Sequence, residues 1–339
     1  MYFDRYGFPD KEKAKSYVLN RRKKLEEEGD LRGLSSYKRK KPMNFKEAFA
    51  VDGLHSLYNP ELLGDRLDDL SWGTPLTEMG DLIWKDGYEF FIEKILPSGE
   101  IEKIPNKLIW VSNPAGDYEK PIGWFPRSPN NVYYNNGQFL PNNNFAFRGG
   151  CDPFKYDKTK DKRRSNCAGL VYQMEDDLFL DDPFNDSFTM LYLKRPESKR
   201  IANYAILKMM WFCGCQVLFE RNIDHWKADF AAWDCYGFLM TLPGEVEPGI
   251  ITDGSGKTTQ TICNYTESYI NKFIKKVFFK KLIQKDGGWL GFKVEDTQKS
   301  DAPMGAGITL IAVKGKQYRR AIDMTQDIEN ILPYTSSLN

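Results

Sequence analysis

Between residues 145 and 220 the chain sets three short apolar runs ahead of one long helical stretch and a fourth run, an order that restricts its fold more than any other feature. FAFRGGC (145–151) and SNCAGLVYQM (165–174) read as strands, residues 187–193 as a third strand, residues 196–213 as a helix and QVLFE (216–220) as a short buried strand. Strands paired as a meander, followed by a strand–helix–strand crossover, build a mixed β-sheet flanked by helices, an α/β fold.

The flanking segments fit that frame. Residues 10–29 read as one helix, with Asp10 as N-cap, Gly29 as its stop and a thin apolar stripe of Val18, Leu19 and Leu25 that keeps it out of a core. Residues 45–71 suggest short helical pieces. GYEFFIEKIL, the Pro97-Ser98-Gly99 turn and IEKIPNKLIWVS read as a β-hairpin, and the Asn-, Pro- and Gly-rich residues 128–144 as a loop. Residues 224–239 are expected to be helical. So are residues 259–284, as one long helix with Ile262, Tyr265, Tyr269, Phe273, Val277 and Leu282 on one face, and a last helix begins near 300. No internal repeat is visible.

The chemistry open to the chain is limited by what it lacks. Of 339 residues only two are histidines, His55 and His225, which argues against a His-rich zinc site and most His-based triads. The six cysteines form no CxxC pair and read as buried thiols of a reducing cytoplasm. No apolar run is long enough to span a membrane, and the first residues, MYFDRYGFPDKEKAK, show no signal-peptide core. The net charge is +1, but residues 11–41 carry about +7 and the remainder about −6. Such an arm is a solvated face or linker, or a contact for nucleic acid or a partner. The high share of aromatics, 14%, lacks a base-stacking motif and is assigned to the core.

DGSGKTTQ (253–260) invites a nucleotide-binding reading. A P-loop, however, needs glycine at position 251, which is Ile251, and a place between a buried strand and its helix. The segment is therefore expected to be a polar turn in which Thr258 or Thr259 caps the helix that follows.

Carboxylates must then carry any chemistry. Asp152 ends an apolar strand in Arg148-Gly149-Gly150-Cys151-Asp152-Pro153, where the glycines would let a ligand or another chain approach closely. Glu220 ends QVLFE, and Asp301 opens the last helix in Asp301-Ala302-Pro303-Met304-Gly305-Ala306-Gly307, whose small residues suit tight packing on a sheet. Each has a plainer explanation: a turn residue, an ion-pair partner, a helix N-terminal acid. If the strands are neighbours the three converge, and divalent cations would offset their repulsion. Oxygen-only ligands suit Mg²⁺ or Mn²⁺. Two such ions would activate water and stabilise the leaving oxygen of a phosphodiester.

Read in order, several segments resemble the nuclease domain of the large terminase subunit of tailed bacteriophages. These are Tyr37-Lys38-Arg39-Lys40-Lys41-Pro42 with Glu47-Ala48-Phe49, Gly149-Gly150-Cys151-Asp152-Pro153, and Ser165 to Tyr172. Phe219-Glu220-Arg221-Asn222, then Pro248-Gly249-Ile250-Ile251-Thr252 with Lys257, and the stretch from Asp301 to Gly307 complete the series. The resemblance spans roughly 20–50 and 140–315. It implies a basic helical arm over 1–45 and an RNase H-like nuclease domain over 46–339, with a core at about 140–315 and a β-hairpin-rich insertion. It further implies two-metal cleavage of double-stranded concatemeric DNA during genome packaging, with Asp152, Glu220 and Asp301 as catalytic metal ligands. The implied partners are a packaging ATPase domain, the portal and the small terminase subunit, in the cytoplasm of an infected bacterium. No Walker or arginine-finger segment precedes the nuclease segments, so the ATPase would lie on another polypeptide or segment. Pro303, so close to Asp301, leaves Asp296 as the alternative third ligand.

DNA would be held by local patches, because the domain as a whole is not basic. Lys155, Lys158, Lys160, Lys162, Arg163 and Arg164 leave directly from Asp152, either as a phosphate contact or as a solvated loop. Lys272, Lys275, Lys276, Lys280 and Lys281 read as the wet face of the long helix. A junction resolvase and a non-catalytic module docking on a motor or portal remain the rival readings.

Overall fold

Asp10 starts the first helix by accepting the Lys13 backbone N–H on its Oδ1 at 3.0 Å, and α1 runs Lys11–Glu27 before Gly29, at φ 69°, ends it. Asp30 caps α2 (Leu31–Lys40) in the same way through the Gly33 N–H. Leu25 is the one buried side chain of α1, so the arm lies outside the core, as its thin stripe suggests. Lys38 Nζ reaches Glu61 Oε1 at 2.7 Å on α3 (Pro60–Trp72), which Asn59 caps. The computed structural model describes residues 10–43, 57–154, 165–176, 178–221, 225–252, 256–294 and 300–316. The helical pieces expected before residue 57 fall mainly outside that set.

The centre is a seven-stranded mixed sheet. Its strands are β1 (Thr77–Trp84), β4 (Leu108–Ser112), β5 (Tyr118–Pro121), β8 (Phe147–Asp152), β9 (Cys167–Gln173), β10 (Ser187–Lys194) and β11 (Val217–Phe219), in the order β11-β8-β9-β10-β5-β1-β4. The β8–β9–β10 meander is antiparallel. After α4 (Lys199–Cys213) the chain returns as β11, parallel to β8 with Phe219 beside Cys151. The expected crossover is therefore present. Strands β1, β4 and β5 extend the same sheet rather than standing apart, so the sheet reaches back to residue 77, well before the expected core.

Two small hairpins lie outside the sheet. The first, β2 (Phe91–Ile95) with β3 (Ile101–Pro105), turns over Gly99 at φ 85° as expected. The expected second arm is split, because Asn106 donates its side-chain amide to Lys85 O and Tyr88 O and sends β4 to the main sheet. The second hairpin, β6 (Val132–Asn135) with β7 (Gln138–Pro141), occupies the segment expected to be a loop. Asn136 and Gly137, at φ 48° and 80°, make the tight Asn-Gly turn that such a hairpin needs.

Helices cover both faces of the sheet. Helix α4 packs on one side, with α5 (His225–Ala232) nearby. On the other lies α8 (Asp301–Lys316), joined by α6 (Lys257–Phe273), α3 and the short α7 (Lys280–Ile283). Adjacent glycines show how close these layers lie. A Cβ on Gly149 would strike Met210 of α4, and one on Gly150 would strike the Thr309 backbone of α8. The two glycines thus serve helix packing on opposite faces, not the approach of a ligand. Gly305 does the same from the helix side, where a Cβ would lie 2.6 Å from Ala168 O.

The long helix expected over 259–284 is broken. α6 ends at Phe273, a 3-10 turn covers Ile274–Lys276, and Val277 is extended at ψ 114°. Arg66 of α3 donates Nε and Nη2 to Val277 O at 3.0 and 2.8 Å, taking an acceptor that a continuous helix would use itself. Neither Thr258 nor Thr259 caps α6. Gly256 occupies the N-cap at φ 72°, and Thr258 Oγ1 donates to Ile251 O. All six cysteines are buried free thiols, and no described helix is long and apolar enough to cross a membrane.

Candidate active site: three carboxylates at the carboxyl end of the parallel strand pair

The parallel register that sets Phe219 beside Cys151 carries the next residues forward as neighbours, Glu220 and Asp152. The segment after Gly249 adds a further pairing outside β11: Ile250 N donates to Phe219 O at 2.9 Å, and Arg221 N to Ile250 O at 2.6 Å. That pairing delivers Thr252, whose hydroxyl donates to Glu220 Oε1. Helix α8 begins with Asp301 on the same side. Its Oδ2 accepts the Asn166 backbone N–H at 2.7 Å, two residues before β9 pairs with Asp152 through Ala168. Pro303 falls in the first turn, where its missing N–H costs nothing.

Strand, strand and helix therefore bring all three expected residues to one end of the sheet. Each is half-buried. Burial, the Glu220 charge, the Asp301 charge and a shared hydrogen bond with Glu220 push Asp152 well above the usual carboxylate range. A pair of carboxylates in that contact holds a proton or needs a cation between them. Burial also raises Asp301, up to about 6, against the lowering effect of Asn166 and of the Arg195 charge. Arg195, from the loop after β10, donates to Ser165 O and stacks over the Phe154 ring at 4.6 Å, so it ties the end of β8 to the residue before Asn166. Asp296, the alternative third ligand, lies outside the described residues.

The donor set, oxygen only, fits Mg²⁺ or Mn²⁺ in kind. In position it is incomplete: among the described residues, no three His, Cys, Asp or Glu side chains already stand where they could hold one metal ion. Asp301 is engaged with Asn166, and the close pair is Asp152 with Glu220.

The six basic residues expected to contact DNA, from Lys155 to Arg164, all lie outside the described residues. Two lysines expected on a wet face are otherwise engaged: Lys276 Nζ donates to Asn185 O at 2.8 Å, and Lys281 pairs with Glu119 at 2.9 Å. Beyond Asp152 the structure adds a cleft that sequence reasoning missed. Pro153 and Phe154 form one wall, Lys199, Ala202 and Asn203 of α4 a second, and His225 and Trp226 of α5 a third. The one sequence signal near it was that α5 follows β11, the strand that leads into Glu220. Comparison with protein-family models yields no match, and comparison with curated protein sequences yields none either.

Proposed function

We propose that the chain is a metal-dependent endonuclease of RNase H-like fold, acting on double-stranded DNA as a terminase nuclease does. The observation that carries the reading is the contact between Asp152 and Glu220 at the carboxyl end of two parallel strands, with Asp301 close enough to raise the Asp152 proton affinity further. A purely structural role gives no reason for two acids to stand in contact with a third close by.

In this account Asp152, Glu220 and Asp301 would hold the cations. Thr252 fixes the Glu220 carboxylate, and the β8–β9 ladder fixes the Asp152 backbone. Two bound Mg²⁺ or Mn²⁺ ions would supply an activated water and charge stabilisation for the leaving oxygen. The thiols take no part, because burial pushes Cys151 far up and Cys215 to about 12, away from the nucleophilic thiolate. The substrate would be concatemeric viral DNA, and the partners a packaging ATPase, a portal and a small terminase subunit.

Plasmid cleavage with Mn²⁺, Mg²⁺ or EDTA, beside Asp152→Asn, tests the reading. Nicking or linearisation with metal, lost in EDTA and in the variant, is expected; metal-dependent cutting retained by Asp152→Asn would sink the assignment. A four-way junction compared with linear duplex separates a resolvase from a terminase-type nuclease. One observation favours a non-catalytic docking module, the incomplete ligand geometry among the described residues. Such a module would gain no thermal stability from Mn²⁺.

A further inference from the structure

The loop between β9 and β10 displays Leu178, Phe179 and Leu180 in a row, at 85%, 52% and 66% exposure. Three consecutive exposed apolar residues are costly on a solvated surface and mark a contact for another molecule. The loop is built to hold them there. Arg127 donates to Asp176 Oδ2 at 2.7 Å and to Asp182 Oδ2 at 2.6 Å, and it stacks over the Phe179 ring at 4.2 Å. The Asn185 amide donates to Phe179 O at 2.7 Å, and the Leu178 N–H to Asp176 Oδ1 at 2.9 Å. A surface fixed in this way loses little further entropy when a partner covers it. Met174 N donates to Ala146 O, which extends the β8–β9 ladder and brings the exposed Phe145 to the same end of the sheet.

Charge limits what can cover this surface. Residues 175–182 read EDDLFLDD, five acids against the single Arg127, and Glu175 and Asp181 are exposed on either side of the apolar triad. Two such loops face to face would set acid against acid. Helix α1 is the complement. Its 17 residues hold seven Lys or Arg against three Glu and bury one side chain, Leu25. Tyr17 is 52% exposed, with Lys13 and Arg21 four residues to either side on the same helix face. A helix that buries so little of itself gains its packing from outside its own core.

We infer that α1 of one copy of this chain docks on the Leu178–Leu180 loop of a second copy, with Tyr17 against the apolar triad and Lys13 and Arg21 toward Glu175 and Asp181. The contact is heterologous, so a dimer still presents one arm and one loop, and association continues beyond it. The loop lies beside the start of β8, about 17 Å of strand away from Asp152 at its other end. Docking therefore leaves the carboxylates open, and the inference does not rest on the nuclease reading.

Sedimentation velocity of the full chain reads the contact directly. Wild type is expected to associate beyond the dimer as its concentration rises, and to do so less in about 0.5 M salt than in about 0.05 M, because exposed charges are screened. Lys13→Glu with Arg21→Glu, at exposed helix positions that Glu suits, should sediment as a monomer where wild type associates. So should Leu178→Ser with Leu180→Ser, which keeps the Phe179 stack on Arg127. An equimolar mixture of the two variants supplies one intact loop and one intact arm, so it should form dimers and nothing larger, which a misfolded variant could not do. A wild type that stays monomeric in low salt, an arm variant that associates as wild type does, or a mixture that stays monomeric would overturn the inference. Association that requires added duplex DNA would assign the arm to nucleic acid and overturn it equally.

Discussion

Asp152 and Glu220 touch although both are acids, and that contact makes a prediction that an ordinary ion pair would not. Replacing one charge removes repulsion, so Asp152→Asn is expected to melt at or above the wild-type temperature without metal, by up to about 2–4 °C. The same substitution should abolish cleavage. A lower melting temperature, read by calorimetry in EDTA, would mean that the Asp152 carboxylate is needed for folding. Lys120 presents the opposite case. Its ammonium is fully buried among Trp110 and Phe125, and it is held by Glu78 Oε1 at 2.6 Å and Trp124 O at 2.8 Å. Glu78→Gln would strand that charge and is expected to cost about 3 kcal/mol in urea unfolding. The Lys120 hydrogen bond holds Glu78 below the usual carboxylate range. Its stabilisation is present above the unfolded value of 4.5 and is lost as pH falls through the lower folded one. Wild type should lose part of its advantage over Glu78→Gln as pH falls through that window; a difference constant with pH would contradict the pairing.

At the scale of elements, the closeness of strand β8 to the helices on both its faces sets what the site can tolerate. Gly150→Ala would push a methyl group into the α8 backbone and is expected to cost about 1–3 kcal/mol, while shifting Asp301 and reducing cleavage along with stability. A cost below about 0.5 kcal/mol would show that α8 can move aside. The meander, the crossover and α8 were legible in the sequence because buried strands leave continuous apolar runs and Asp301 precedes a stretch of small residues. Two of the misread elements show why local reading fails. The β6–β7 hairpin was hidden by its asparagines, although Asn136-Gly137 between VYYN and QFLP is a strong turn signal. The break after Phe273 depends on Arg66, which is 211 residues from Val277 in the chain and so left no local trace. The role of Gly149 and Gly150 was misassigned for a similar reason, since only the fold shows which helices press on them.

For the whole molecule, the account is of one mixed sheet whose parallel edge gathers acids from residues 152, 220 and 301 while the basic charge lies toward the N-terminus. The carboxylates and their order were readable from the sequence; their partners Thr252, Asn166 and Arg195, and the cleft with Lys199 and His225, come from distant segments and needed the fold. A cation that binds the folded chain and not the unfolded one adds about 2.7 kcal/mol at a hundredfold excess over Kd. Mn²⁺ should therefore raise the melting temperature of wild type and raise that of Asp152→Asn far less; equal shifts would place the ion elsewhere. The most direct test of the central claim is an anomalous-scattering map of a crystal soaked in Mn²⁺. The account expects a peak between Asp152 and Glu220, with Asp301 turned from Asn166 toward it. A fully soaked crystal in which those two carboxylates remain in contact, with no peak beside them, would contradict it.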